Sequence, residues 1–148
     1  MHIRPATPAD TATLFDIRCS VSENHLSRDE LARLGVTSQT VADLLAGDGP
    51  GWIAELEGVG VGFSMVILSE QTVFACFIRP GYEGRGIGRR LMEAAEACLA
   101  AHGIEEAWLS TGADPAIRAN GFYQHLGWRP DGHLPDGQIL YRKRLTPL

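Results

Sequence analysis

Three glycines at alternate positions lie among arginines in the stretch IRPGYEGRGIGRR, residues 78–90. The glycines are Gly84, Gly86 and Gly88, and Arg85, Arg89 and Arg90 lie between them or directly after them. Glycine removes the side chains that would keep a ligand away from the backbone, and the free N–H groups of a helix start favour negative charge. The arginines add positive charge at the same place. These residue types in this spacing predict a phosphate-binding turn.

The segments on either side of the turn predict a strand, a helix and a second strand. Residues 72–78 are apolar, β-branched and aromatic, which is typical of a buried central strand, and Pro80 follows them. Residues 86–101 repeat apolar side chains at helical spacing and are followed by Gly103, a helix-ending residue. Residues 104–111 predict the next strand. Two strands joined through a helix form a parallel pair.

Earlier in the chain the pattern predicts one strand, three helical pieces and a hairpin. The strand covers residues 1–5, the helices begin near residues 7, 27 and 38, and the hairpin strands cover residues 52–57 and 59–68. Ser20 to Arg28 (SVSENHLSR) interrupts the helices with polar residues. The sequence GVGVGF at residues 58–63 falls inside strand alternation and has no helix after it, so it predicts a hairpin strand and not a nucleotide loop.

The last third of the chain predicts one helix and two strands. Asp114-Pro115 has the form of a helix start, and the apolar period through Leu126 favours helix although Asn120-Gly121 is a turn signal. Residues 128–130 and 138–144 are predicted strands separated by a loop over residues 131–137. We expect one domain, residues 1–148, because a chain of this length buries a sizeable core by itself.

Composition favours an ordinary globular protein. Hydrophobic residues make up 45% of the chain, and no apolar run approaches the roughly 18 residues of a membrane span. The first ten residues lack the apolar core of a signal peptide, so we expect a cytoplasmic protein that does not enter a membrane. Cys19, Cys76 and Cys98 form no CxxC spacing, which predicts neither a disulfide framework nor a metal site.

The net charge of −5 is unevenly distributed along the chain. Residues 1–78 hold 4 basic and 10 acidic residues (−6), whereas residues 79–148 hold 9 basic and 8 acidic residues (+1). An acidic half is a poor surface for nucleic acid, so we expect no nucleic-acid partner. Together the halves indicate a protein that holds an anionic ligand on its C-terminal side and offers acidic groups to a cationic one on its N-terminal side, whereas ordinary solvated surface charge accounts for most of the carboxylates equally well.

Two motifs together resemble the GNAT family of N-acetyltransferases. The family signature is Gln or Arg, two residues, Gly, one residue, then Gly or Ala, and it matches from Glu83 to Gly88 with Glu83 in place of Gln or Arg. A second family-like motif, A-x-x-F-Y-x-x-x-G-W, matches at Ala119, Phe122, Tyr123, Gly127 and Trp128. The family often has Asn three residues before that alanine, where this chain has Ala116.

The resemblance implies an α/β (α+β) fold, the GNAT fold. Its mixed central sheet of about seven strands contains a splayed parallel pair and is flanked by about four or five helices. It also implies that acetyl-CoA is the co-substrate, with no metal. The cofactor-binding residues that it implies are Phe77, Ile78, Gly84, Arg85, Gly86, Ile87, Gly88, Arg89, Phe122 and Tyr123. Pyrophosphate would lie on N–H groups of the turn, and pantetheine would run beside the strand ending at Phe77 and Ile78.

The family motif gives Tyr123 a catalytic role at the departing thiolate, which needs a proton or a hydrogen bond. Glu23 is the first candidate for the base, or for an anchor of a cationic acceptor, because it lies in the polar break that lines the acceptor pocket in this family. Glu70, just before the central strand, is a second candidate. His25 is more typical of a surface residue, and Cys76, in an apolar strand, is more typical of a core thiol than of a nucleophile.

The resemblance implies direct acetyl transfer to a primary amine of a small molecule or peptide. A non-catalytic acyl-CoA-binding regulatory protein is the alternative. A toxin-like enzyme that acetylates aminoacyl-tRNA would require a basic face, which the acidic composition disfavours. Members of the family are often dimers, so the resemblance also allows a homodimer, although no residue here indicates an interface.

Overall fold

The computed structural model describes residues 1–23, 25–112 and 118–145. Seven strands in these ranges form one mixed sheet in the order β1-β2-β3-β4-β5-β7-β6. The strands are β1 His2–Pro5, β2 Gly51–Leu56, β3 Val59–Ile67, β4 Thr72–Ile78, β5 Glu106–Thr111, β6 Arg129–His133 and β7 Ile139–Arg144. The helices are α1 Thr11–Arg18, α2 Arg28–Arg33, α3 Ser38–Leu45, α4 Ile87–Ala101 and α5 Arg118–His125. The predicted fold class is confirmed.

The parallel pair β4 and β5 is joined at one end only. Thr72 pairs with Trp108, and the Thr72 hydroxyl donates to the Trp108 carbonyl at 2.7 Å. The Trp108 indole N–H donates to the Glu70 carbonyl at 2.8 Å. No other pair of residues joins the two strands along the described part of the chain. The strands therefore part after this anchor, and the splayed pair is confirmed.

A bulge in β4 reverses which of its alternate residues point to each face of the sheet, since Val73 and Ala75 lie on opposite faces. Met65 of β3 pairs with Ala75 and Val66 pairs with Val73, so Phe74 is the extra residue. Beyond it Ala75 and Phe77 pack towards α1, whereas Cys76 and Ile78 pack on the opposite face. β4 is central, as predicted, but it is not fully buried, since Phe74 is 42% exposed. The splay explains this, because β5 does not cover the second half of β4.

The helices cover both faces of the sheet. α4 packs on β2, β3 and β4, and its apolar stripe includes Leu91, Met92 and Leu99, which are completely buried. Helices α1, α2 and α3 cover the other face with Ile17, Leu31 and Val41. The alternation of β3 and β4 supplies both cores, because successive strand residues point to opposite faces. No helix among the described residues is both long and apolar enough to cross a membrane.

The end of the fold departs from the sequence prediction at one loop. β6 continues to His133, which pairs with Ile139, so part of the predicted loop over residues 131–137 is strand. Strand pairing with β7 stabilises this polar segment, which has no apolar pattern of its own. α5 includes Asn120-Gly121, so the preference for helix there is confirmed. The predicted helix start at Asp114-Pro115 and the departure at Ala116 lie outside the described residues.

Candidate functional site

The glycine turn has a backbone conformation that side chains disfavour. Gly84 has φ +74° and Gly86 has φ +80°, and Gly86 is the residue immediately before α4. No atom lies within 4 Å of the Cβ positions that alanine would have at these two sites, so the turn is open as well as left-handed. The first N–H groups of α4 lack intrahelical partners and are available to an anion. The turn therefore fits a phosphate group.

The Glu83 carboxylate is turned back onto its own loop. Its Oε2 accepts a 2.9 Å hydrogen bond from the backbone N–H of Gly81 and lies 3.9 Å from Nη1 of Arg118. A residue that acts in this way shapes the turn and does not itself donate to a phosphate, because an ionised carboxylate has no donor.

The arginines near the turn differ in whether they line the neighbouring cavity. The Arg85 guanidinium lies 5.2 Å from the centroid of the Tyr82 ring, and Nη2 donates to the Gly81 carbonyl at 3.4 Å. Arg89, in the first turn of α4, lines the cavity next to the glycines, whereas the Arg85 side chain does not. Arg118, at the start of α5, also lines this cavity. The sequence prediction missed Arg118, although its position four residues before Phe122 puts both on one helix face.

This cavity, which we call the loop cavity, has a volume of about 850 Å³. It extends from the glycine turn along the second half of β4 to the end of β5 and to α5, and its lining includes Ile78, Gly84, Gly88, Thr111, Phe122 and Tyr123. Its size is in the range of small-molecule and cofactor sites. The structure thus brings the two sequence motifs and the β4 end together around one cavity.

Gly88 and Phe122 are the point at which the two motifs meet. A Cβ atom added to Gly88 would lie 3.0 Å from Cζ of Phe122 and 3.2 Å from its Cε1. Only glycine leaves room for the ring at its present distance from α4. The preceding residue, Ile87, is 2% exposed and packs with Val61 and Leu91, so its side chain anchors the helix start, and the residue also lines the loop cavity.

The Tyr123 phenol is buried beside the Cys76 thiol. Tyr123 is 8% exposed and its ring lies 5.2 Å from the ring of Phe122. Burial, and secondly the nearby Cys76, raise the pKa of Tyr123 well above its usual value. Burial also raises the pKa of Cys76 to about 12. Both groups are therefore neutral at physiological pH, and Cys76 is a poor nucleophile because the reactive form of a thiol is the thiolate.

Asn120 holds α5 in place through two hydrogen bonds. Its Nδ2 donates to the carbonyl of Gly112 at 3.0 Å, and its Oδ1 accepts from the hydroxyl of Tyr141 at 2.8 Å. These bonds connect α5 to the end of β5 and to β7. From the sequence, Asn120 was predicted only as part of a turn signal. Its position three residues before Tyr123, on the buried side of the helix, was the signal of a supporting role.

Glu23 and Glu70 occupy different places. The Glu23 Oε2 accepts a 2.9 Å hydrogen bond from the backbone N–H of Arg118, and the residue lines the loop cavity. Glu70 lies at the closed end of the splay, where its carbonyl accepts from Trp108. Phe77 lies five residue steps after Thr72 in β4, at about 3.3 Å a step, so Glu70, which precedes Thr72, is remote from the open end of the strand. The Nδ1 atom of His25 is 2.8 Å from the Val21 carbonyl.

A second cavity, which we call the apolar cavity, has a volume of about 440 Å³ and lies on the α1 face of β4. Its lining includes Phe15, Arg18, Leu31, Phe63, Ala75 and Phe77. Phe77 lines both cavities. The guanidinium carbon of Arg18 lies 4.2 Å from the centroid of the Phe77 ring. Arg18 was not predicted as a functional residue from the sequence. Among the described residues, no group of three or more His, Cys, Asp or Glu side chains could hold a metal ion.

Comparisons with known proteins agree with the geometry. Residues 47–130 match the family model described as an acetyltransferase (GNAT) domain. PaiA N-acetyltransferase from Thermoplasma acidophilum, solved with coenzyme A, has a TM-score of 0.80 at 17% identity over 97% of this chain and 99% of that chain.

Two further solved structures are similar in fold. Ribosomal-protein-alanine N-acetyltransferase from Brucella melitensis has a TM-score of 0.77 at 19% identity over 97% of this chain and 99% of its own. An aminoglycoside 6'-N-acetyltransferase, complexed with coenzyme A, has a TM-score of 0.78 at 18% identity over 100% of this chain and 99% of its own. A comparison with curated protein sequences found no match.

Proposed function

The chain belongs to the GNAT acetyltransferase family, and we propose that it transfers an acetyl group from acetyl-CoA to a primary amine of a small molecule or peptide. The observation that carries this proposal is the loop cavity, around which the glycine turn, the open end of β4 and Tyr123 are assembled. Coenzyme A is bound in two structures of the same fold. The names of similar structures include enzymes for a ribosomal protein and for aminoglycosides, which supports an amine acceptor.

The donor is held mainly by backbone groups in this proposal. N–H groups from Gly84 to Arg89 bind the pyrophosphate, and Arg89 and Arg118 supply positive charge. On the side that faces β5, β4 has no partner strand beyond Thr72 among the described residues, so an extended pantetheine arm can hydrogen-bond there like an added strand. Ile78 and Phe122 supply apolar contacts. Arg85 contributes through its backbone, since its side chain lies against Tyr82.

The reaction is a direct transfer. The neutral amine nitrogen attacks the thioester carbonyl carbon, a C–N bond forms, the C–S bond breaks, and coenzyme A leaves as a thiolate. The nitrogen loses one proton and the thiolate gains one, so the balance is neutral. A backbone N–H near Phe77 stabilises the oxyanion that forms on the carbonyl oxygen.

Tyr123 acts at the sulfur as a hydrogen-bond donor. Its raised pKa makes full proton transfer to a thiolate unfavourable, because an ordinary thiol has a pKa near ~8.5. A neutral phenol that donates a hydrogen bond still lowers the energy of the leaving thiolate. The proton from the amine then reaches the sulfur through solvent.

Glu23 is the base in this proposal and removes the proton of the attacking amine through water. Its position beside the loop cavity supports the role. The hydrogen bond that Glu23 accepts from the backbone N–H of Arg118 holds the Glu23 carboxylate towards α5, the helix that carries Tyr123.

The test measures free-thiol release from acetyl-CoA with a panel of amines, amino acids and peptides. We expect turnover with at least one acceptor, a fall in kcat of about 10-fold to 100-fold in Tyr123→Phe, and a smaller fall in Glu23→Gln. Acetyl-CoA should raise the melting temperature of all three proteins. Stabilisation without turnover across the panel would favour the acyl-CoA-binding regulator, and absence of stabilisation would refute the proposal.

A further inference from the structure

The apolar cavity has the lining of a pocket for one hydrophobic side chain. Its walls come from α1, the segment before α2, α2 itself and β3, and they include Leu14, Phe15, Leu26, Leu31, Phe63 and Met65. A volume of about 440 Å³ is in the range of small-ligand sites. An apolar group that leaves water for such a pocket is stabilised in proportion to the apolar area that it buries.

Arg18 places a positive charge at the edge of this pocket nearest the reaction. It is the last residue of α1, it is half-buried, and its guanidinium carbon is 4.2 Å from the centroid of the Phe77 ring. Burial lowers the pKa of Arg18, but a guanidinium stays charged at neutral pH. A guanidinium has five N–H donors, so Arg18, at the edge of the apolar cavity, can donate to a carboxylate alongside the interactions that it already makes.

The position of Phe77 relates this charge to the acetyl donor. Phe77 lies near the open end of β4 and lines both the apolar cavity and the loop cavity. A carboxylate on Arg18 therefore lies beside the strand end at which the donor thioester is proposed to sit. In an α-amino acid the nitrogen is only two bonds from the carboxyl carbon, so the same placement brings the amine to the thioester.

The pairing also favours the reactive form of the amine. In a free amino acid, the carboxylate stabilises the positive charge of the neighbouring ammonium group. When the carboxylate pairs with a guanidinium, that stabilisation of the ammonium group is cancelled. The pKa of the amine therefore falls, and more of it is the neutral nucleophile. Arg18 and Glu70 are the charged residues among the described lining of the apolar cavity, and Glu70 lies at the far, closed end of β4.

We propose that the acceptor is an apolar α-amino acid, whose carboxylate binds Arg18 and whose side chain fills the apolar cavity. This inference rests on the proposed acetyltransferase function and specifies its substrate class. The product is then the N-acetyl amino acid. In this arrangement Arg18 determines specificity, since it distinguishes an acid from the same amine without a carboxylate.

The first experiment compares matched acceptors in the thiol-release assay. L-phenylalanine is set against L-phenylalaninamide and phenethylamine, and L-leucine against L-leucinamide and 3-methylbutylamine. Each kcat/KM is referred to the fraction of free amine at the assay pH. We expect kcat/KM for each acid to exceed that for its amide and for its decarboxylated partner by about tenfold or more. A hydrogen bond to a charged group contributes enough free energy for a ratio of that size. L-aspartate and L-lysine should be poor acceptors.

The second experiment tests Arg18 with three variants. In Arg18→Met the ratio of kcat/KM for acid over matched amine should fall to near one, and Arg18→Lys should keep part of the ratio because it keeps the charge. Arg33→Met is the matched control, since Arg33 is exposed on α2 and does not line the cavity. Circular dichroism and the melting temperature with acetyl-CoA show whether each variant is folded.

The outcomes separate this inference from the proposed function. Acids that are no better than their amides or amines would overturn the inference, and so would an unchanged ratio in a folded Arg18→Met. Turnover restricted to peptides or to polar amines would leave an acetyltransferase with a different acceptor. Failure of acetyl-CoA to stabilise the protein would instead refute the proposed function itself. N-acetyl-L-phenylalanine should stabilise the wild-type protein but not Arg18→Met, which tests the site without turnover.

Discussion

The hydroxyl of Tyr141, in the middle of β7, donates a 2.8 Å hydrogen bond to Oδ1 of Asn120 in α5. Tyr141 is completely buried and Asn120 is 7% exposed, so the bond is shielded from water. Asn120 in turn donates to the carbonyl of Gly112, just after β5. The two bonds attach α5 to the sheet immediately before Tyr123. The phenol beside the loop cavity is therefore positioned from a strand that has no contact with the donor in the proposed complex.

Tyr141→Phe should lower stability by about 1–2 kcal/mol, because it leaves Oδ1 of the buried Asn120 without this donor. We expect kcat to fall more than KM for acetyl-CoA rises, since α5 carries Tyr123 whereas the turn carries the pyrophosphate contacts. Urea denaturation and steady-state kinetics measure the two effects. Gln124→Ala removes the exposed neighbour of the same hydroxyl and should change stability by less than about 0.5 kcal/mol. A fully stable Tyr141→Phe would contradict the role given to this bond.

Glu83→Gln should tighten binding of acetyl-CoA. The amide oxygen of Gln can accept the same 2.9 Å hydrogen bond from Gly81, so the turn keeps its shape while one negative charge beside the phosphates is lost. We expect the Kd to fall by about twofold to fivefold at low salt, and the gain to shrink as salt screens the charges. Isothermal titration with acetyl-CoA at two ionic strengths measures this.

The charge and the hydrogen bond of Glu83 can be separated by two controls. Glu83→Ala also removes the charge but loses the bond to Gly81, so it should bind acetyl-CoA less tightly than Glu83→Gln. Glu93→Gln removes an exposed carboxylate from α4 outside the loop cavity and should change the Kd by less than twofold. Equal effects of Glu83→Gln and Glu93→Gln would mean that net charge, and not the position of Glu83, matters.

Gly86→Ala and Gly121→Ala should change stability in opposite directions. Neither new methyl group meets another atom within 4 Å, but Gly86 has φ +80° whereas Gly121 lies inside α5. Alanine should cost about 1–2 kcal/mol at position 86, where the left-handed conformation is strained, and should add about 0.5–1 kcal/mol at position 121. Thermal unfolding without acetyl-CoA measures both. Equal losses at the two positions would show that the backbone of the turn is not the cause.

Local patterns were enough to predict the elements and the motifs. The glycine turn could be identified because Gly84 and Gly86 need backbone freedom that the neighbouring strand and helix patterns do not need. Phe122 and Tyr123 were predicted from their motif, and both line the loop cavity in the structure. Their contact partners, Gly88 and Cys76, lie far from them along the chain, and neither pairing could be derived from the sequence alone.

Residues that act through distant partners could not be predicted. Arg18 has the sequence environment of an ordinary helix-terminal arginine, and only the packing of α1 against β4 brings it to Phe77. Asn120 appeared as a turn signal because its partners, Gly112 and Tyr141, come from other elements. The polar β6 is strand because it pairs with β7, an effect of tertiary structure that overrides weak local propensity.

Acid should remove a stabilising contribution of Asp10. The Arg4 guanidinium, first through hydrogen bonds of 2.9 and 3.0 Å, lowers the pKa of the Asp10 carboxyl from 3.8 to about 2, and the Thr7 N–H adds a bond of 2.8 Å. A lowered pKa means that the contribution is complete above pH ~4 and is lost as the pH falls towards 2. Because solvent screens this partly exposed pair, we expect about 1 kcal/mol. Asp10→Asn should therefore unfold more easily than wild type at pH 6, and the difference should vanish near pH 2. Asp16→Asn, which removes an exposed charge from α1, is the charge control. The measurement is the urea midpoint of each protein across this pH range. A difference between Asp10→Asn and wild type that does not change with pH would contradict the role given to the ion pair.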